Sequence, residues 1–206
     1  MIEFVVNDVT LRYKTHGDLF SPSKPDKGTL TMLSVINVKP EDKVLDLGCG
    51  YGLVGIYLSK VVGCQNVVMS DIDPMAVEIA RCNVGLNEVD VRVLQSDGFD
   101  NLEERDFNLV LSNPPYHTDF SVPKRFIEDA FHHLALGGRL AMVTKRRKWY
   151  ENKMRAVFGG VFVTEKDGYF IFESEKRSHQ IPRRKSQKKT TKKHMKRMNR
   201  ADRTRG

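Results

Sequence analysis

Cysteine is scarce in this 206-residue chain, which carries only Cys49, Cys64 and Cys82. Their odd number and lack of metal-ligand spacing argue against a disulfide framework and against a thiolate metal site. The thiols therefore read as reduced, in a cytoplasmic protein with no metal, and Cys64 and Cys82 as small core fillers. Long apolar runs are also missing, so no membrane-spanning segment is expected. Met1-Ile2-Glu3-Phe4 lacks the pattern of a signal peptide. Acidic residues nearly vanish at one end. Residues 176–206 hold 14 of the 34 Lys and Arg but a single acid, Asp202, which leaves 20 basic and 25 acidic residues in 1–175. The net charge of +8 thus divides into −5 over the first 175 residues and +13 over the last stretch.

That basic stretch has almost no apolar content, so it is expected to be disordered when unbound. A cationic arm of this kind gains affinity for a polyanion by counterion release, largely without regard to sequence. Residues 1–175 suit one domain, divided into an N-terminal hairpin and helix (1–40) and a core (41–175). Alternating residues around Asn7-Asp8 predict a short β-hairpin. A helix is expected over 27–38, entered from Asp26.

From Lys43 the pattern becomes strand–helix alternation. Strands are expected at 44–47, 66–70, 91–94, 107–112 and 139–143, and helices at 53–62, 74–86, 122–134 and 148–158. Asp73 reads as the N-cap of the second of these helices, with Pro74 at its first position. Gly137-Gly138 is expected to stop the third. Strands at 161–163 and 169–172 flank Lys166-Asp167-Gly168 as a closing hairpin. The fold class is therefore α/β, a Rossmann-like, seven-stranded, mostly parallel sheet with helices on both faces and a C-terminal antiparallel hairpin.

Asn113-Pro114-Pro115-Tyr116 follows the apolar strand 107–112. Two prolines cannot donate ladder hydrogen bonds, so the strand must stop there. Ligands of open α/β sheets bind beyond the carboxyl ends of strands. The Asn side chain and a backbone carbonyl could accept both N–H bonds of a planar amino group, while the Tyr ring stacks on its carrier.

Asp46-Leu47-Gly48-Cys49-Gly50-Tyr51-Gly52 lies between the first core strand and its helix. Its alternate glycines allow a tight turn and close approach of a ligand to the backbone. Gly50, Gly52 and Gly55 also fit the dinucleotide pattern G-x-G-x-x-G, with Asp71 near the expected ribose-binding distance. Against that reading, Asp46 would repel a pyrophosphate, the glycines begin too early, and Asn113–Tyr116 has no role in hydride transfer.

The D-x-G-x-G-x-G loop resembles that of the class I S-adenosylmethionine-dependent methyltransferases. Asn113–Tyr116 resembles the motif of the members that methylate planar nitrogens: adenine N6, guanine N2 or glutamine amide. Gly17-Asp18-Leu19-Phe20-Ser21 and Lys27-Gly28-Thr29 look like the G-V-F-S and D-x-G-[ST] segments of the "methyltransferase small" family, which includes 16S rRNA guanine-N2 methyltransferases. Asp18-Leu19 departs from the usual Val.

The resemblance implies S-adenosylmethionine as cofactor. Gly48, Cys49, Gly50 and Gly52 would run along its methionine part and ribose, with Asp46 near its amino group. Asp71 would take the ribose hydroxyls. Asp97, beside Gly98, would accept the adenine amino group, with Ile72 or Phe99 against the ring. Asn113, Pro114, Pro115 and Tyr116 would form the catalytic turn. His117 adjoins it, and His132 and His133 read as structural. Lys145, Arg146 and Arg147 follow a core strand at its carboxyl end and suit phosphate contact. The leading expectation is N2 methylation of guanine in small-subunit rRNA, with RNA as partner. A glutamine methyltransferase lacks its expected R-P-E-T-E-like segment here, and a DNA adenine methyltransferase its recognition domain. A non-catalytic RNA-binding or ribosome-assembly protein is the rival outside enzymes.

Overall fold

The computed structural model of the chain describes residues 1–15, 25–115 and 120–181. Strands β1 (Ile2–Val6) and β2 (Val9–Tyr13) form an antiparallel hairpin. Asn7 and Asp8 both have positive φ, 44° and 67°, at its two-residue turn. Such a turn matches the twist of the flanking strands, and Asn and Asp tolerate it. Helix α1 (Lys27–Leu33) follows, then β3 (Val44–Leu47), α2 (Leu53–Val62), β4 (Val67–Asp71), α3 (Pro74–Leu86), β5 (Arg92–Gln95) and β6 (Phe107–Ser112). The chain continues with α4 (Ser121–His133), β7 (Leu134–Thr144), α5 (Arg147–Phe158), β8 (Phe162–Lys166) and β9 (Tyr169–Glu175).

The seven strands from β3 onward make one sheet in the order β5-β4-β3-β6-β7-β9-β8. β5, β4, β3, β6 and β7 are parallel neighbours, and β9 runs antiparallel to both β7 and β8. Alternate residues of the central strands face opposite sides. Val44, Met69, Leu109 and Leu111 pack with α1, α2 and α3, while Leu45, Leu47, Val68 and Val110 pack with α4 and α5. The order reverses between β3 and β6. One connection leaves β3 toward β4 and the other leaves β6 toward β7, which opens a crevice at the carboxyl ends of these two strands. The Ser112 hydroxyl donates to the Leu47 carbonyl at 2.8 Å and ties the two ends together.

The N-terminal hairpin lies against the α2–α3 side of the sheet. Two Asn side chains, Asn83 of α3 and Asn87 at its C-cap, act as a surrogate strand for β2. Asn87 exchanges hydrogen bonds with the Arg12 backbone and Asn83 with the Lys14 backbone, at 2.7–3.0 Å. This covers an edge that would otherwise leave backbone groups unpaired.

Two boundaries and the placing of the cysteines differ from the sequence reading. Helix α1 ends at Leu33 rather than at 38. Ser34 caps it, and the β-branched Val35 and Ile36 fold back with their N–H groups on the Met32 carbonyl. Gly137-Gly138 does not stop α4. The helix ends at His133 and passes directly into β7, where a Cβ on Gly138 would lie 2.5 Å from the Phe107 carbonyl oxygen. Gly138 therefore serves strand approach, Gly137 supplies a positive φ of 84°, and the register shift between Phe107 and Leu109 falls at the same place. Cys82 is exposed and Cys64 only partly buried, so neither fills the core as expected. Cys49, in the glycine loop, is the buried thiol. The inner positions of α3 are Ala76, Val77, Ala80 and Asn83.

Candidate active site

The crevice at the reversal point holds a cavity of about 450 Å³, within the range of small-ligand sites. The structure brings most of the predicted residues to its wall. Asp46, Gly48, Cys49 and Gly50 line it from β3 and the loop beyond. Asp71 and Ile72 come from the end of β4, Asp97 and Gly98 from the end of β5, and Asn113, Pro114 and Pro115 from the end of β6. Gly52, the N-cap of α2 with φ 92°, is not itself on the wall, although Tyr51 and Leu53 on either side of it are. Tyr116, His117, the segment 17–23 and the basic stretch from residue 182 lie outside the described residues.

The glycine loop is a string of left-handed turns. Gly48, Gly50 and Gly52 have φ of 73°, 55° and 92°, a region where other side chains are strained. A Cβ on Gly50 would meet nothing within 4 Å, so the space above the loop is open. The Gly48 and Cys49 N–H groups both donate to the Ser70 carbonyl, which pins the loop to β4.

Two acids hold this loop in place. Asp71 accepts from the Gly50 N–H at 2.8 Å through one oxygen and from the Asp73 N–H at 3.0 Å through the other. Asp46 is buried and accepts from the Gly55 N–H at 2.9 Å. Burial, with Asp71 nearby, pushes the Asp46 carboxyl up to about 7, although the Gly55 hydrogen bond acts the other way. Burial also raises the Cys49 thiol well above its ordinary value, so it is neutral and not a nucleophile. Asp73 caps α3, accepting from the Met75 N–H at 2.9 Å, with Pro74 in the first turn.

Asp97 is not alone. Arg125 of α4 donates to its carboxylate at 2.7 Å and to its carbonyl at 2.9 Å, and also pairs with Asp100 and Asp129. These pairs are half-exposed, so they orient Asp97 more than they stabilise the fold. Phe99 is not at the cavity. Its ring is buried on His133, 4.3 Å between centroids, and Phe126 and Val122 of α4 form that wall instead. Ile72 does line the cavity and is 60% exposed. His133 is a structural residue, bonded to the Asp129 carbonyl and receiving an Arg105 N–H.

At the other side of the cavity stands Asn113. Its Nδ2 donates to Asp26 Oδ1 at 2.7 Å and to Thr29 Oγ1 at 2.9 Å. Asp26 also caps α1 through the Thr29 N–H at 2.7 Å. Asp26 and Thr29 line the same cavity. In the sequence Asp26 and Thr29 stand out only as a helix start and part of a motif, because 87 residues separate Asp26 from Asn113.

Lys145, Arg146 and Arg147 are exposed at the carboxyl end of β7 but do not line the cavity. Each lies over an aromatic ring: Lys145 over Tyr169, Arg146 over Phe120 and Arg147 over Phe170, at 4.9–5.5 Å. Phe120 in turn stacks on Trp149 at 4.4 Å. Among the described residues, no helix is long and apolar enough to cross a membrane, and no three His, Cys, Asp or Glu side chains gather as a metal site.

The cavity therefore combines an acidic, glycine-lined half with a rigid Asn-Pro-Pro turn. Several buried or half-buried carboxylates favour a cationic ligand and oppose a pyrophosphate. Known proteins resemble this chain in sequence and fold. The ribosomal RNA small subunit methyltransferase C of Hamiltonella defensa is 34% identical over 171 residues, covering 81% of this chain and 50% of that protein. That of Haemophilus influenzae strain PittGG is 36% identical over 162 residues, covering 77% and 49%. A 16S rRNA N2 methyltransferase of T. thermophilus, solved in complex with AdoMet and guanosine, superimposes with a TM-score of 0.79 at 26% identity, over 85% of this chain and 50% of that one. The chain spans about half the length of the curated relatives it matches. The methyltransferase small domain family matches residues 10–173, and the chain belongs to that family.

Proposed function

We propose that this protein transfers a methyl group from S-adenosylmethionine to the exocyclic N2 of guanine in small-subunit rRNA. The observation that carries the reading is the Asn113 amide, fixed through its Nδ2 at the rim of an acidic, glycine-lined cavity. Residues 1–175 form the catalytic body in this reading, and 176–206 an arm that contacts RNA. The similarity to rRNA methyltransferases supports the choice of RNA.

The residues present fit the cofactor. The open space above Gly50 admits a chain against the backbone, and the buried Asp46 suits an ammonium group. Gly48, Cys49, Gly50 and Gly52 would line the methionine part and ribose. Asp71 would take the ribose hydroxyls, and Ile72, Asp97 and Gly98 the adenine. When bound, S-adenosylmethionine supplies an electrophilic methyl group on a positively charged sulfur.

The chain's own contribution is alignment. The lone pair of an aryl amine is delocalised into its ring, which makes it a poor nucleophile. Asn113 Oδ1 and the Pro114 carbonyl would accept its two N–H bonds and favour a pyramidal nitrogen as positive charge develops there. Pro115 stiffens the turn, and Tyr116 would stack on the base. The resulting ammonium is acidic and loses its proton to water. His117, Lys145, Arg146 and Arg147 would hold the RNA outside the cavity.

With labelled S-adenosylmethionine and small ribosomal subunits, the label is expected in a ribonuclease-sensitive fraction. Label in a protease-sensitive fraction would contradict RNA as substrate and point to glutamine amide chemistry.

The high Asp46 value gives a second expected result. Its carboxyl sits near 7 in the folded protein against about 4 in the unfolded chain. The stability this group contributes is therefore present below about pH 4 and is lost as pH rises through 7. A cationic ligand favours the ionised carboxylate, so its affinity rises between about pH 6 and pH 8, and binding near pH 7 releases about half a proton from this group. Calorimetry of S-adenosylmethionine binding in buffers of different ionisation heat measures that release. Asp46→Asn should remove it, and equal proton counts for wild type and variant would show that Asp46 does not face the cation.

A further inference from the structure

We propose that Asp26 and Thr29 are positioning residues for the Asn113 amide, a role that rests on the amine-holding function assigned to Asn113 above. A carboxylate only accepts hydrogen bonds, so the side of the amide facing Asp26 must be Nδ2. Asp26 Oδ1 lies 2.7 Å from Nδ2, and Thr29 Oγ1 lies 2.9 Å from it. Between them they take both Nδ2 hydrogens. The atom on the other side of the amide is then Oδ1, an acceptor, which suits the N–H of an amino group. A flipped amide would present donors to a donor and would leave the Asp26 carboxylate against an amide oxygen, a repulsive contact at both ends.

The charge of Asp26 also matters. N–H groups bonded to an anion give a stronger, charge-assisted pair, and polarisation along the amide places more electron density on Oδ1. That density is what a nitrogen gaining positive charge would be attracted to. Asp26 and Thr29 therefore act on the reaction through Asn113 and need no contact with the transferred methyl.

The platform that holds them is rigid. Thr29 is buried, and Asp26 Oδ1 also receives the Thr29 N–H. Gly28 passes so close to β9 that a Cβ there would lie 2.8 Å from the Tyr169 ring. The start of α1 is thus pressed on the sheet beside the end of β6, and this packing brings together residues 87 positions apart.

Asp26→Ser separates positioning from capping. Serine is a good N-cap, so α1 should persist, but its side chain is too short and uncharged to hold the Asn113 amide. Methyl transfer to small-subunit rRNA should fall about tenfold or more, carried by kcat, while S-adenosylmethionine affinity stays within about twofold. Asp26→Asn, which keeps an acceptor at the same place, should recover much of the loss. In an Asn113→Ala background, Asp26→Ser should cost nothing further, because the group it positions is gone. If Asp26→Ser lowers kcat equally in both backgrounds, Asp26 is merely structural and the proposal fails.

A second readout does not depend on activity. The Asn113 side-chain NH2 signals, assigned by their loss in Asn113→Asp, should exchange slowly with solvent in the wild-type protein. They should exchange about tenfold faster or more in Asp26→Ser, and Thr29→Val, which keeps the volume, should give a smaller change in the same direction. Unchanged Asn113 signals in both variants would overturn the proposal. A wild-type protein that methylates no RNA but shows the protected amide would instead sink the functional reading and leave the positioning contact standing.

Discussion

Asn113→Ala is expected to lower the turnover number for rRNA methylation by on the order of a hundredfold or more, with S-adenosylmethionine affinity nearly unchanged. Removing a preorganised contact made to charge that develops in the transition state has effects of that size. The split between turnover and cofactor binding follows from the geometry. The acids and glycines that would hold the cofactor come from β3, β4 and β5, whereas Asn113 comes from β6 and is anchored to α1. The Asn113 side chain donates to Asp26 and Thr29 and not to the glycine loop, so truncating it leaves that loop intact. Turnover measured beside cofactor titration checks the result. A variant as active as the wild type would remove the amine-holding role altogether.

Asp71→Ala is expected to weaken S-adenosylmethionine binding by on the order of 10- to 100-fold, the equivalent of one or more charge-assisted hydrogen bonds. Two losses combine. The ribose hydroxyls would lose their acceptor, and the glycine loop would lose its brace, because Asp71 binds the Gly50 N–H and the Asp73 N–H at once. The second loss makes the loop less preorganised, so part of the binding energy is spent on ordering it. Asp71→Asn, which keeps one acceptor oxygen, should fall between. Calorimetry on the three proteins decides the matter. Equal affinities would show that the ligand's hydroxyls are held elsewhere.

Much of this site can be read from the sequence because its parts are local. A strand that must stop at two prolines, a loop of alternate glycines after another strand, and acids at the ends of three strands all follow from spacing along the chain. Parallel strands then bring their carboxyl ends to one edge. The unread parts depend on packing between distant segments. Nothing near residue 113 shows that Asp26 and Thr29 will meet it. Phe99, next to Gly98, suits a cavity wall by its place in the sequence, but its ring turns into the core against His133, and Phe126 of α4 takes the place. The Asp97–Arg125 contact is a similar case, since it joins a strand end to a helix 28 residues on.

The glycines show the same limit. Gly48, Gly50 and Gly52 are legible because a turn needs their positive φ. Gly137 and Gly138 look like a helix stop, yet Gly138 is required by the nearness of the Phe107 carbonyl. Sequence alone does not separate a glycine that ends a helix from one that lets two backbones approach. The basic run Lys145–Arg147 is plain in the sequence, but the rings beneath it come from β9 and from Phe120 at the start of α4.

A methyl group placed on guanine N2 can be read out by nucleoside analysis. Small-subunit rRNA lacking this modification would be incubated with the protein and S-adenosylmethionine, digested to nucleosides and examined by mass spectrometry. N2-methylguanosine is expected with the wild-type protein and should be nearly absent with Asn113→Ala. Methylation of adenosine N6 instead, or equal N2-methylguanosine from both proteins, would contradict this reading.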